Sequence, residues 1–249
     1  MRRNKHRLAR ALASVVAPLT TRSDHSSRRV LMFHGVDDIN VDADDDLYNH
    51  SREAFIAHID ALQQWAERHQ LPFVAFDGNN EPGLCLTFDD GYVSIASMVA
   101  PLLIERSIPF HVFIPLGLVT DERGTHLSHS DISTLATEPL IGVGAHGLTH
   151  RQLTEFVDDQ LRHELLESRR RLSALTQRDI ITMSYPFGQH DERVRSAVHD
   201  TGFRLAGTSS PGPDNPGGDP LQIPRTDIWA MDSARDAVLK ARGAWDWLL

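Results

Sequence analysis

LCLTFDDGY, residues 84–92, is the stretch whose reading decides the fold. Leu84, Cys85, Leu86 and Phe88 form an apolar run that closes on Asp89, Asp90 and Gly91. Such a run, bounded by acids and a glycine, reads as a buried strand that delivers charge at its C-terminal end. A helical pattern, VSIASMVAPLLIERS, follows it. In α/β folds ligands sit outside the carboxyl ends of the strands, where this acid pair points.

Upstream, RRVLMFH (28–34) reads as a first strand ending in His34. The acidic segment after it reads as a solvated loop. Ser51 is placed to cap a helix whose apolar face carries Phe55, Ile56, Ile59, Leu62 and Trp65. LPFVAF (71–76) reads as a short strand. Downstream, a helix is expected over 93–106, then strands at 109–115, 140–145 and 179–185. A short helix at 131–136 is expected before the 140–145 strand and a long amphipathic helix at 158–177 after it, and Asp191 is placed to start another helix. Strands at 204–207 and 223–228 and a closing helix from Ser233 complete the pattern. Strands alternate with helices throughout, which implies a parallel α/β sheet or barrel in a single domain.

At 249 residues and 41% hydrophobic, the chain has ample core for such a domain. Its net charge of -9 makes nucleic acid an unsuitable partner. The single cysteine, Cys85, excludes an intramolecular disulfide and reads as a small buried apolar residue. No segment is apolar for long enough to span a membrane. The basic, Ala-rich segment 1–27 is expected to be a helical extension ahead of a catalytic domain over 28–249. A cytoplasmic location is expected; the basic segment also suits peripheral contact with an anionic membrane.

Three strand ends carry unusual polar residues: Asp89-Asp90, His34, and His146 with His150. GAHGLTHRQL places two imidazoles four residues apart behind a strand, a spacing that suits a divalent metal. A carboxylate at another strand end would complete a mixed His-carboxylate site with positions open for water and substrate. His111, His126, His129 and His190 have no such company. Trp229, Trp245 and Trp247 are read as packing for the terminal helix rather than a sugar platform.

In order and spacing, TFDDG, HGLTH and SYPFG resemble the motifs of the polysaccharide deacetylases, carbohydrate esterase family four. The resemblance covers about residues 30–228. It implies a distorted (β/α) barrel of about seven parallel strands and metal-dependent removal of N-acetyl, sometimes O-acetyl, groups from sugars. By position, Asp90, His146 and His150 match the metal ligands and Asp89 the catalytic base. Tyr185 lies in the motif whose backbone N–H binds the oxyanion, and Pro186, Phe187 and Gly188 shape that wall of the substrate groove. The ion implied is zinc, with cobalt or nickel also suited to a His2Asp set.

Two departures stand out. Many members carry an arginine where this chain has Ser184; Arg225, in IPRTDI, is the replacement expected to tether Asp89. Many members also carry an acid histidine near the C-terminus, which is missing from LQIPRTDIW. His34 supplies it instead, as in the circularly permuted exopolysaccharide deacetylases, because first and last strands of a barrel are neighbours. The expected partner is an acetylated sugar, polysaccharide or lipopolysaccharide precursor. The alternatives are hydrolysis of a non-sugar amide on the same fold, and a catalytically inactive sugar-binding module.

Overall fold

The structure, a computed structural model, describes residues 26–37, 47–79, 81–120 and 124–246. Nearly all of the 1–27 extension, the centre of the acidic segment and Trp247 lie outside the described residues. The strands are β1 (Arg28–Phe33), β2 (Gly35–Val36), β3 (Asn49–His50), β4 (Gly83–Phe88), β5 (Phe110–Ile114), β6 (Ile141–Ala145), β7 (Thr182–Ser184), β8 (Leu205–Gly207) and β9 (Thr226–Asp227). Among the described residues, six α-helices accompany them: α1 (Arg52–His69), α2 (Ala100–Glu105), α3 (His129–Leu135), α4 (Asp158–Thr176), α5 (Glu192–Asp200) and α6 (Ala234–Ala241).

Seven strands form one sheet in the order β8-β7-β6-β5-β4-β1-β9, and every pairing is parallel. β1 is therefore flanked by β4 and the last strand, with Leu31 opposite Thr226 and Met32 opposite Asp227. The segment leading into β9 also touches the far edge, where Ile223 bridges Gly207 of β8. One short stretch thus joins the two ends of the sheet, and the architecture is the distorted (β/α) barrel expected.

Strand periodicity sorts the side chains. In β4, Leu84, Leu86 and Phe88 belong to the large apolar cluster between sheet and helices, whereas Cys85 belongs to a small inner cluster. That inner cluster also holds Val30, Phe113, Leu205 and Ile223. Successive residues of a strand face opposite sides, so these mark the inward row of each strand. Cys85 is fully buried and its thiol is pushed up to about 12 by burial, which makes it inert. Gly142 and Gly144 of β6 fall on the same inward phase. A Cβ at either would collide with the His111 ring or with Phe113, so the glycines leave room for large neighbours.

The helix caps follow the sequence. Ser51 accepts a hydrogen bond from Ala54 N at 3.2 Å, and Asp191 accepts one from Val194 N at 2.8 Å. Trp229 and Trp245 pack with Leu47 and Leu239 against α6, enclosing the Lys240 ammonium. Two expectations differ. Residues 71–76 form only an isolated bridge, Phe73 to Leu84, because Pro72 has no N–H for a ladder. The helix over 93–106 is split into a π turn, Ile95–Val99, and α2. Pro101 has no N–H and would crowd a carbonyl four residues back, and a wider turn relieves both demands.

Candidate active site

The inward rows converge at the C-terminal mouth of the barrel. Continuing Cys85 and Thr87 by two residues reaches Asp89; continuing Gly142 and Gly144 reaches His146; continuing Val30 and Met32 reaches His34. The row through Ile223 reaches Arg225 and then Asp227. Asp89 N still bonds Phe33 O, and His146 N bonds Ile114 O, so both residues extend the ladder in phase.

Asp90 is out of phase and His150 lies beyond the end of β6, and both need turns to bring them in. Asp90 adopts φ 68° and Gly91 φ 62°; Gly147 has φ 72° and His150 φ 56°. Gly takes this left-handed region freely; for Asp90 and His150 it is an uncommon conformation that the surroundings must hold. The result is a compact donor set. Asp90 Oδ1 lies 3.4 Å from His146 Nε2 and 3.1 Å from His150 Nε2. All three ligand atoms fall within 4.8 Å of one another, the one such group among the described residues.

These residues fit a divalent metal. Tetrahedral bonds of about 2.05 Å place donors about 3.3 Å apart, close to the spacings seen. The imidazole tautomer also suits ligation. His146 Nδ1 lies 3.0 Å from Ser184 O and 2.6 Å from Ser184 Oγ. Donating to that carbonyl keeps the ring proton on Nδ1 and leaves the Nε2 lone pair facing Asp90. Burial opposes charge on Asp90, but the neighbouring His146 and His150 imidazoles outweigh it and hold its carboxyl well below the usual range. Burial likewise opposes a charge on His146, and Asp89 and Asp90 raise its pKa in spite of it.

Asp89 faces Arg225 rather than solvent. The guanidinium donates to Oδ1 at 2.7 Å and to Oδ2 at 2.8 Å, a bidentate pair. Arg225 is fully buried, and its Nε donates to Thr208 O at 2.8 Å. The pair is therefore internal, not a surface ion pair. A Cβ on Gly207 would come within 2.6 Å of Arg225 Nε, so the missing side chain in β8 is what lets the arginine lie across the barrel. Burial disfavours charge on Asp89; Arg225, and after it His146, more than compensate and lower its pKa.

His34 stands on the other side of β4, its ring 4.4 Å from that of Tyr48. Its Nδ1 is buried without a hydrogen-bond partner. The carboxyl of Asp227, one strand away, is buried, and burial raises its pKa although the charges of His34 and Lys240 act against the rise.

The third motif differs from the sequence reading. Tyr185 is out of phase with Thr182 and Ser184 and belongs to the outer apolar cluster. Its N–H donates to Gly207 O at 3.1 Å and its hydroxyl to Leu221 O at 2.8 Å. The Tyr185 N–H is thus a rung between β7 and β8, not a donor into the groove. The next amide, Phe187 N–H, starts a 3-10 turn, where N–H groups have no intrahelical acceptor. Phe187 has φ 59°, is 57% exposed, and its ring lies 4.9 Å from that of His150. Pro186 and Gly188 flank it.

Asp227 and Glu164 were not singled out in the sequence, although each left a trace. Asp227 is two residues after Arg225 and so on the same strand face. Glu164 interrupts the apolar stripe of α4 between Leu161 and Leu165 and is 3% exposed. His111, by contrast, is inside the barrel with its Nε2 2.8 Å from Thr182 Oγ1, and His190 stacks on Tyr185.

The family model described as polysaccharide deacetylase matches residues 77–206. Among solved structures, the chain is similar to the Streptococcus pyogenes deacetylase PplD in complex with acetate. The identity is 16% and the TM-score 0.73, over 86% of this chain and 98% of that one. It is similar to a polysaccharide deacetylase from Bacillus cereus at 21% identity and TM-score 0.72, over 86% of this chain and 69% of that one. It is similar to IcaB from Ammonifex degensii at 20% identity and TM-score 0.68, over 88% and 97% respectively. At these identities the likeness is one of fold. A search of curated proteins gave no match.

Proposed function

The chain belongs to the polysaccharide deacetylase family, hydrolases of carbon-nitrogen bonds other than peptide bonds, and we propose that it removes N-acetyl groups from a sugar or polysaccharide precursor with the help of one divalent metal. The observation that carries this reading is the proximity of two sets at one barrel mouth. Asp90, His146 and His150 form a metal-type donor set, and beside it the buried Asp89–Arg225 pair supplies a carboxylate outside that set.

A divalent ion held by Asp90, His146 and His150, zinc by preference, supplies Lewis acidity and a nucleophile at neutral pH. Asp89 is the general base. Each of its oxygens accepts one Arg225 N–H and retains a lone pair for the proton of the attacking water. Arg225 holds that carboxylate in one orientation and keeps it ionised. His34 delivers the proton that the leaving amine needs, with Asp227 on the adjacent strand. The Phe187 N–H is the donor to the developing oxyanion, in the role first read for Tyr185. The exposed Phe187 ring, between Pro186 and Gly188, offers an apolar face to the sugar.

The test combines metal analysis with acetate release from N-acetylglucosamine oligomers and from an O-acetylated glycan. One equivalent of metal and release from the N-acetyl substrate, abolished by a chelator and restored by zinc, is expected. Asp90→Asn should lose the metal. Metal-free protein that releases no acetate would refute the reading in favour of a sugar-binding module. Metal without acetate from either glycan would move the substrate to another amide.

A further inference from the structure

The loop between the two histidines is held by a residue outside the motifs. Gly147 to His150 must turn back within four residues so that His150 faces Asp90, and both ends of that turn are left-handed. Its donors converge on one atom. Glu164 Oε1, on α4, accepts Leu148 N at 2.8 Å, Thr149 N at 2.6 Å and Thr149 Oγ1 at 2.9 Å. Its carbonyls are taken from the opposite side, Leu148 O by Gly117 N at 2.6 Å and Gly147 O by Leu116 N at 3.4 Å. The oxygen leaves no room to spare: a Cβ on Gly147 would lie 3.2 Å from it. A carboxylate on the buried stripe of a helix is costly unless its oxygens are satisfied, and here one oxygen carries three donors.

We propose that Glu164 is a positioning residue for the metal site, fixing the His146–His150 loop in its ligating shape before the ion arrives. The inference rests on the reading of Asp90, His146 and His150 as metal ligands. An ion entering a preformed site does not have to order the loop, so loss of the anchor appears as weaker metal binding. A carboxylate that only stabilised the fold would leave the affinity of the folded protein alone.

The experiment is a calorimetric titration of zinc into the metal-free full-length chain, well below its unfolding temperature, with the visible spectrum of the cobalt form as a second readout. Glu164→Ala should weaken zinc binding by about 10–100-fold and alter the cobalt spectrum. Glu164→Gln, which keeps an acceptor oxygen of the same reach, should recover part of that loss. Glu167→Gln, on the same helix but paired with Arg170 and Arg171 rather than with the loop, should bind as the unaltered chain does. If Glu164→Ala does not fold, Glu164→Gln and Thr149→Val decide: each should still weaken zinc binding. Unaltered affinity in folded Glu164 variants, even with a lowered Tm, overturns the inference and leaves the metal site standing. Failure of the unaltered chain to bind zinc, cobalt or nickel overturns both.

Discussion

Two fully buried arginines sit at opposite ends of the barrel, and each grips one aspartate. At the N-terminal end Arg28 meets Asp214, with Nε at 2.8 Å and Nη2 at 2.6 Å from Oδ2. At the C-terminal mouth Arg225 meets Asp89 through both carboxylate oxygens. The pairs are alike in chemistry and burial but differ in company. Arg28 also donates to Ala75 O and Asp77 O, so it ties the 73–77 segment and the 208–220 loop to β1. Asp89 instead has the metal-type set beside it, with His146 Nε2 3.9 Å from its Oδ2. A buried ion pair therefore says little about role by itself. What it faces assigns it, and in barrels the carboxyl ends of strands face the chemistry while the opposite end bears on stability.

Four experiments can break this contrast or sharpen it. The largest effect is expected for Asp89→Asn, with turnover lower by about 10²–10⁴-fold while metal is retained. Asp214→Asn should leave turnover per folded molecule unchanged, and a comparable loss there would erase the distinction. Next, Arg28→Met should cost roughly 3–5 kcal/mol in urea unfolding, because it strands a buried carboxylate, with kcat unaltered in the folded fraction. Smaller again is Arg225→Lys, which keeps the charge but not the fork. A fall in kcat of about 10–10²-fold with unchanged zinc affinity is expected. Equal activity would show that orientation of Asp89 does not depend on the bidentate grip.

The smallest effect concerns His111, which lies in the barrel interior within reach of the charges of Arg225, Asp89 and Arg28. Burial first, and Arg225 after it, lower its pKa to about 3, and burial followed by the charge of His58 does the same for His50. The unfolded chain takes up these protons as pH falls through about 6.5, whereas the folded chain does not until about 3. Stability is therefore full above that window and declines as pH falls through it, by up to about 1.4 kcal/mol per pH unit for each histidine. His111→Gln should reduce the acid-side slope of unfolding free energy by about that amount between pH 6 and 4. An unchanged slope would mean that His111 is protonated in the folded barrel, between the two ion pairs.

Much of the fold was legible because strand periodicity and helix caps are local properties. LCLTF, RRVLMF and FHVFI are apolar runs with turn residues behind them, and Ser51 and Asp191 cap the helices they precede. The places that departed did so where a local pattern met a proline, at Pro72 and Pro101. The metal-type set was legible because its members cluster in two short motifs, each with a turn that admits left-handed residues. Tyr185 was misjudged for a physical reason. A motif names a neighbourhood, and only the strand phase shows that its N–H pairs with Gly207 while the following turn exposes that of Phe187.

The sequence by itself determined the alternation of strands and helices, the strand ends that carry acid and imidazole, and the family. The tertiary structure decided which partner each of them has. Asp89 and Asp90 are adjacent and chemically identical, and strand phase with one left-handed turn sends one to Arg225 and the other to the two histidines. Asp89 and Arg225 are 136 residues apart in the chain, and Glu164 lies 15 and 16 residues beyond the amides it holds. Neither pairing follows from local propensity, because each depends on closure of the sheet, which brings β9 beside β1, or on the packing of α4 against β6.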